Sequence, residues 1–327
     1  MTEVDEPSPA EDEILVAVSA CGVCGHDLLA MRGKLGTPLP AILGHEIAGI
    51  VARVGSQASG FRVGDRVALV QREPCGRCDL CSDGAENLCR HGRGFYGEDR
   101  PGGYAEYVLA SALNAVRLPE GVPDRAGAVL SCAIGTGWHA LRKVGAARGD
   151  VAVVTGAGGG VGSHALQLCR HLGIHAIAVT SSEESREALL GLGAEHVVTL
   201  RPGGEALREQ VRRLTGGQLA DVVLEVAGPP TFSQSIGALA ARGRVALIGN
   251  VEPRDVCFNP GLAILKELSV VGCAHGTRDD LQDVVELVAA GHVQPLIDEE
   301  IALADAARAL DEPRRSGPGR RLVVPSL

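Results

Sequence analysis

The chain has 327 residues, 45% of them hydrophobic and 2% aromatic, with a formal net charge of -9. That length allows two domains with separate cores, and the apolar share excludes a largely disordered chain. A negative balance without a dense Lys/Arg block argues against nucleic acid or an anionic membrane as the main partner, and no run of roughly 18 apolar residues is present to span a bilayer. The first dozen residues are acidic and contain proline, unlike a secretory leader, so a reducing cytoplasm is the expected location and a small molecule the expected partner. With so few aromatic rings, a substrate pocket has to be shaped by aliphatic side chains, glycine backbone and a few polar groups.

Residues 14–20, 48–54, 66–70 and 105–109 alternate weakly as strands do, separated by turns at Gly60, Gly64, Asp65, Gly102 and Gly103. Short strands with non-helical connections predict a twisted β domain over residues 1–122. Inside it, residues 71–93 lack hydrophobic periodicity and carry Cys75, Cys78, Cys81 and Cys89. A C-x2-C-x2-C-x7-C spacing can close four thiolates around one tetrahedral zinc, and a metal explains the order of so polar a stretch better than a packed core does. Arg77, Asp79, Ser82 and Asp83 interleave with the cysteines, which argues against a core run, and the short spacings give little support to a pair of disulfides. His91 lies beside Cys89, but four thiolates already complete such a site.

From about residue 123 the pattern changes to strand and helix in alternation. Strands are expected at 151–155, 176–180, 196–200, 222–226 and 244–249, and helices at 161–172, 183–192, 205–214, 232–239, 279–290 and 303–310. Such alternation predicts a parallel sheet covered on both faces by helices. Residues 313–319 read as a turn or loop, and 322–324 as a strand that returns to the first domain.

Between the strand at 151–155 and the helix that follows lies Gly156, Ala157, Gly158, Gly159, Gly160, Val161 and Gly162. Glycines there let backbone N–H groups approach a pyrophosphate at a helix N-terminus. Alanine stands where the first of the three usual glycines would be, with Gly156 and Gly158 flanking it. The next strand ends at Thr180, Ser181 and Ser182, with no acid at its tip to hold a ribose 2′-hydroxyl. Ser181, Ser182 and Arg186 suit a 2′-phosphate, which favours NADP(H) over NAD(H), although Glu183 and Glu184 stand within reach of the ribose.

Cys24 and Asp27 with His26 between them, then His45 and Glu46, then Cys132, supply soft and borderline ligands separated by long gaps, as when a fold gathers three segments around a catalytic zinc. Cys21 is not expected to join them, because pairing it with Cys24 would leave His45 stranded. His139, His164, His171, His175, His196, His275 and His292 lack such a context and are expected on the surface or in helix packing. Cys169, Cys257 and Cys273 are expected in the core.

Over nearly its whole length the chain resembles the zinc-containing medium-chain dehydrogenase/reductase superfamily of the alcohol dehydrogenase type. The ligand segments, the four-cysteine lobe, residues 64–67 and 102–107 and the nucleotide-binding half carry the likeness. The resemblance implies an α/β chain with a GroES-like β-barrel catalytic domain (residues 1–122, with the lobe at 71–93) and a Rossmann doubly wound domain (123–274). Residues 275–327 return to the first domain. It implies Cys24, His45 and Cys132 as ligands of a catalytic Zn2+, with Glu46 an occasional fourth, Asp27 fixing the His45 ring, and His26 relaying the substrate proton to solvent. It also implies a homodimer or homotetramer joined through the Rossmann domains, positions for Asn259 and Lys266 along the cofactor cleft, and a further strand before residue 13 that this chain lacks.

The activity so implied is hydride transfer between NADP(H) and an alcohol/carbonyl pair, with zinc polarising the oxygen. Residues 156–162, Ser181, Ser182 and residues 272–280 are similar to quinone and acryloyl-CoA reductases, so NADPH-dependent reduction of an enoyl or acryloyl thioester is the alternative. A binding role without catalysis is a third reading. A complete ligand set with Asp27 and Glu46 has no purpose in a metal-free mechanism, which puts the zinc oxidoreductase first.

Overall fold

The computed structural model describes residues 2–250, 252–311 and 317–327. The first half runs β1 (Glu13–Gly22), α1 (Gly25–Met31), β2 (Glu46–Val54), β3 (Arg66–Leu69), β4 (Arg72–Glu73), α2 (Asp79–Ser82), β5 (Gly94–Phe95), β6 (Tyr107–Ser111) and β7 (Ala115–Arg117). The second half runs α3 (Gly135–Lys143), β8 (Val151–Val154), α4 (Gly160–Leu172), β9 (His175–Thr180), α5 (Arg186–Gly191), β10 (Ala194–Thr199), α6 (Leu207–Leu214), β11 (Ala220–Glu225), α7 (Phe232–Ala238), β12 (Leu239–Leu247), α8 (Pro260–Lys266), β13 (Ser269–Gly272) and α9 (Arg278–Ala289). β14 (Ile297–Ala302), α10 (Ala306–Asp311) and β15 (Arg320–Val324) complete it.

One sheet has the order β14-β15-β1-β2-β3-β7, with β6 also pairing β1. β1 is antiparallel to β2, β6 and β15, with Cys21 opposite Val323. Nearly every β1 residue is buried, because one face packs on Ile47, Val51 and Leu69 while the other meets the second half of the chain. Burial of both faces explains why its alternation is weak in the sequence. The last strand returns to this sheet as expected; of the loop expected at residues 313–319, residues 313–316 lie outside those described.

The second sheet is wholly parallel, in the order β10-β9-β8-β11-β12-β13. The order reverses between β8 and β11, and at such a switch point the carboxyl ends of the strands part to leave a crevice. A single apolar cluster runs from Ala20, Ala48 and Ala68 of the first sheet to Val154 and Leu224 of the second, so the two halves share a core.

Some elements differ from expectation. α1, α3, α8, β13 and β14 have little sequence signal: α3 contains two glycines, and β14 (IDEEIA) is an edge strand whose acids face solvent. β12 begins at Leu239, before the expected 244, with Arg242 turned to φ 61° inside it. Lys266 ends α8, where its ammonium donates to the carbonyl oxygen of Leu239, and Asn259 caps the same helix by accepting from Gly261 N–H. Neither lines the crevice, contrary to expectation. Among the described residues no helix is long and apolar enough to cross a membrane.

Candidate active site

Four segments distant in sequence meet at one buried point. Cys24 holds the N-cap position of α1 with extended backbone, so its thiol stands where the chain turns into the helix. His45 directly precedes β2 and Glu46 opens it, after Gly44, whose φ of 96° suits only glycine. Cys132 lies in a π-helical turn, Leu130–Ile134, and β15 adds Arg320. The donor atoms of Cys24, His45, Glu46 and Cys132 lie within 4.8 Å of one another.

The surroundings of these donors fit a zinc-sized cation. Two thiols, an imidazole and a carboxylate are its preferred ligand types. Asp27, itself buried, receives the backbone N–H of Cys24 at 2.9 Å, the Tyr104 hydroxyl at 2.9 Å and His45 Nδ1 at 3.1 Å. The last bond commits the His45 proton to Nδ1 and leaves Nε2 free to ligate. Glu46 is fully buried, and any side chain at Gly22 would collide with it. Burial pushes its carboxyl up to about 7 against the opposing pull of Arg320. The Cys24 thiol is held well below the usual range, first by its hydrogen bond with Cys132 and then by Arg320 and His45.

Arg320 is the residue that sequence reasoning missed. Its Nε donates to Glu46 Oε2 at 3.1 Å, Nη2 lies 2.8 Å from Oε1, and the same nitrogen is 3.5 Å from Cys24 Sγ and 3.8 Å from Cys132 Sγ. It also packs so closely on Gly160 that a side chain there would strike the guanidinium. No sequence signal marks it, since only the pairing of β15 with β1 brings it to the cluster.

A cavity of about 1270 Å³ opens from this point to the crevice of the parallel sheet, lined by Cys24, His26, His45 and Cys132 at one end and by Gly156, Gly158, Gly159, Gly160, Val161, Ser181 and Ser182 at the other. Gly160, Val161 and Gly162 form the first turn of α4, where backbone N–H groups have no carbonyl to receive them within the helix. Ala157 and Gly162 lie beneath the turn: Ala157 N–H donates to Val179 O at 3.0 Å, and a side chain on Gly162 would strike Gly156. Arg186 is outside the lining, with Nε donating to Glu183 at 2.6 Å, and neither Glu183 nor Glu184 reaches the cavity.

His26 lines the cavity and pairs through Nε2 with Glu98, a partner not foreseen; the two side chains are 36% and 23% exposed. Phe95 packs against the rings of His26, His45 and His275. His275 was expected on the surface or in helix packing, but it lines the cavity, and burial pulls its pKa down to about 3. His164 does serve helix packing, between Gly160 O at 2.6 Å and Leu296 N–H at 3.0 Å. Cys169 and Cys273 are buried as expected, whereas Cys257 is exposed, and Cys21 is buried away from the ligand cluster.

The second cluster, Cys75, Cys78, Cys81 and Cys89, gathers in the lobe. Its Sγ atoms are 3.5 Å (Cys78 to Cys81), 3.8 Å (Cys78 to Cys89) and 3.9 Å (Cys75 to Cys81) apart. A tetrahedron with ~2.3 Å metal–sulfur bonds has edges of ~3.8 Å. The Arg77 backbone N–H leads in lowering the Cys75 thiol to about 6.

A crevice at the switch point of a parallel sheet, opening beside a buried Cys-His-Glu-Cys cluster, points to the class of oxidoreductases. Residues 10–120 match the alcohol dehydrogenase GroES-like domain and residues 160–290 the zinc-binding dehydrogenase domain, and the chain belongs to the zinc-type medium-chain dehydrogenase/reductase family. It is 35% identical to acryloyl-coenzyme A reductase of Sulfurisphaera tokodaii, over 93% of this chain and 89% of that one. It is 31% identical to an NAD-dependent alcohol dehydrogenase of the same organism, over 99% and 96%. The crystal structure of AibC superposes with a TM-score of 0.91 at 41% identity, covering 97% of this chain and 89% of that one.

Proposed function

We propose that this oxidoreductase is zinc-dependent and transfers a hydride between NADP(H) and an alcohol/carbonyl pair. The observation that carries the reading is the convergence of Cys24, His45, Glu46 and Cys132 within 4.8 Å, on the cavity into which the glycine turn also opens. Zinc would supply positive charge beside a substrate oxygen, and the dinucleotide the hydride. Cys24, His45 and Cys132 hold that ion, and Asp27 keeps His45 in the ligating tautomer. Arg320 balances Glu46 and the thiolates, and His26 with Glu98 moves the substrate proton outward. First-turn N–H groups of α4 bind the pyrophosphate, and the second lobe holds a structural zinc. Ser181 and Ser182, with no acid beside them on the wall, receive the 2′-phosphate. Ser182→Asp is expected to lower kcat/KM with NADPH by about tenfold or more while sparing NADH; an equal loss with both would remove Ser182 from coenzyme choice.

The likeness to an acryloyl-coenzyme A reductase favours a second reading, reduction of an enoyl thioester. Arg32 and Lys34 lie on the cavity wall, where their cationic groups suit a phosphate-bearing thiol carrier. The deciding experiment follows NADPH and NADH oxidation with ketones, aldehydes and 2-enoyl thioesters, before and after chelation. Chelator-sensitive turnover of carbonyls supports the first reading; chelator-resistant turnover of thioesters alone overturns it for the second.

The enzyme is further proposed to be cytoplasmic and a homodimer or homotetramer. β13 ends the parallel sheet with an open edge, and Ile264 and Leu265 beside it are 74% and 86% exposed. Light scattering that gives the mass of one chain would remove the assembly.

A further inference from the structure

Hydrogen bonds lead out of the four-cysteine lobe into the cavity wall. Asn87, in the turn between Cys81 and Cys89, is 3% exposed, and its Nδ2 donates to the backbone oxygens of Ala274 and His275, each at 3.2 Å. Beside it, Glu86 Oε1 accepts the backbone N–H of Arg278 at 2.7 Å. Arg278 is the first residue of α9, whose N–H has no acceptor within the helix. Cys273, Ala274 and His275 join β13 to α9 and line the cavity. At its other end the turn is tied to the cage, because the N–H of Cys89 donates to Glu86 O at 3.0 Å.

We propose that the lobe is a strut for the wall of the cavity and that Asn87 is its positioning residue. Closing the sulfur cage fixes the Glu86–Leu88 turn. The turn fixes the carbonyl groups of Ala274 and His275 and the start of α9. Those carbonyls belong to a connecting loop, which has no ladder of its own to hold it. A metal in the lobe therefore acts on how tightly the cavity holds its contents, at a distance from the reacting atoms, and Asn87 transmits that order without being a ligand. The inference rests on the reading of this cavity as the nucleotide and substrate site.

The test compares zinc-loaded wild type with Asn87→Ala and the isosteric Asn87→Asp, which puts acceptors against two carbonyl oxygens. Hydrogen exchange over residues 273–278 should speed up by roughly tenfold in both variants, while exchange in β8 stays as it was. Zinc content should not change, and KM should rise by about fivefold or more with kcat within about twofold. Unchanged exchange over 273–278, or equal acceleration throughout the chain, would overturn the strut. Cys78→Ser, which opens the cage, should reproduce the local acceleration, and protection retained there would also overturn it. If Cys78→Ser does not fold, the Asn87 variants decide alone. A wild type that binds neither NADPH nor NADH would remove the nucleotide reading, and the exchange data would still judge the strut.

Discussion

Cys75, Cys78, Cys81 and Cys89 come from one short polar stretch with little apolar packing around it, whereas Cys24, His45, Glu46 and Cys132 come from three distant segments held in a dense core. The lobe between Cys75 and Cys89 draws most of its order from its sulfurs and the few bonds that leave it, so a metal bound there would be coupled to its folding. The buried cluster is assembled by the sheet, by α1 and by Asp27, Tyr104 and Arg320, whose hydrogen bonds hold its side chains. The same element would serve structure in one place and chemistry in the other, and the difference lies in what the chain has to provide around it.

Substituting one cysteine in each site separates them most sharply. Cys132→Ser is expected to lower bound zinc from about two to about one per chain and to cut kcat by roughly a hundredfold or more, with the lobe still resistant to protease. Cys78→Ser should lose the same amount of zinc but leave kcat within about threefold, raise KM and open residues 71–93 to cleavage. Metal analysis and limited proteolysis on both variants check this. An unchanged zinc count in Cys132→Ser would end its role as a ligand.

The next effect concerns charge. Arg320 is 8% exposed and Glu46 fully buried, so Arg320→Met removes the guanidinium that opposes the effect of burial on this carboxyl; the carboxyl, already raised to about 7, then takes up a proton, and the lost hydrogen bonds should cost about 1–3 kcal/mol by urea unfolding of the metal-free protein. The lobe side offers the contrast of Arg93 and Asp12, a 2.9 Å pair with both side chains exposed, whose removal should cost under about 1 kcal/mol. Equal costs for the two pairs would mean that Arg320 does not balance a buried charge.

The same contrast governs what could be read in advance. The lobe was legible because four ligands at short fixed spacing in a polar stretch need no tertiary information. The parallel sheet was legible because its strands are continuous apolar runs between helices of clear period, as with β8 and α4. Cys24, His45 and Cys132 were singled out as candidate ligands by residue type and family resemblance, and their convergence needed the fold. Arg320 could not be foreseen, because an arginine opening an apolar strand is ordinarily a solvated edge residue, and only the pairing of β15 with β1 puts it beside Cys24. His275 was misjudged for the same reason. Its neighbours in sequence are small and uninformative, and its neighbours in space, Phe95 and Asn87, come from the first half of the chain.

His275 sits where the lobe's hydrogen bonds meet the buried cluster, and it gives the smallest expected effect. Burial is the main reason its pKa falls to about 3, with Arg72 and His45 adding repulsion of the charged form. The unfolded chain takes up a proton near pH 6.5 that the folded chain refuses until about 3. Between those values the unfolded state binds more protons, so the stability this group contributes is fully present above about 6.5 and is lost as pH falls towards 3. His275→Leu removes that linkage. Its unfolding free energy between pH ~6 and ~4 should therefore fall less steeply than that of wild type, by up to about 1.4 kcal/mol per pH unit. Urea titrations of both proteins across that range measure the difference directly. Parallel slopes would show that His275 is protonated in the folded chain and that the wall between lobe and cluster is wetter than its burial implies.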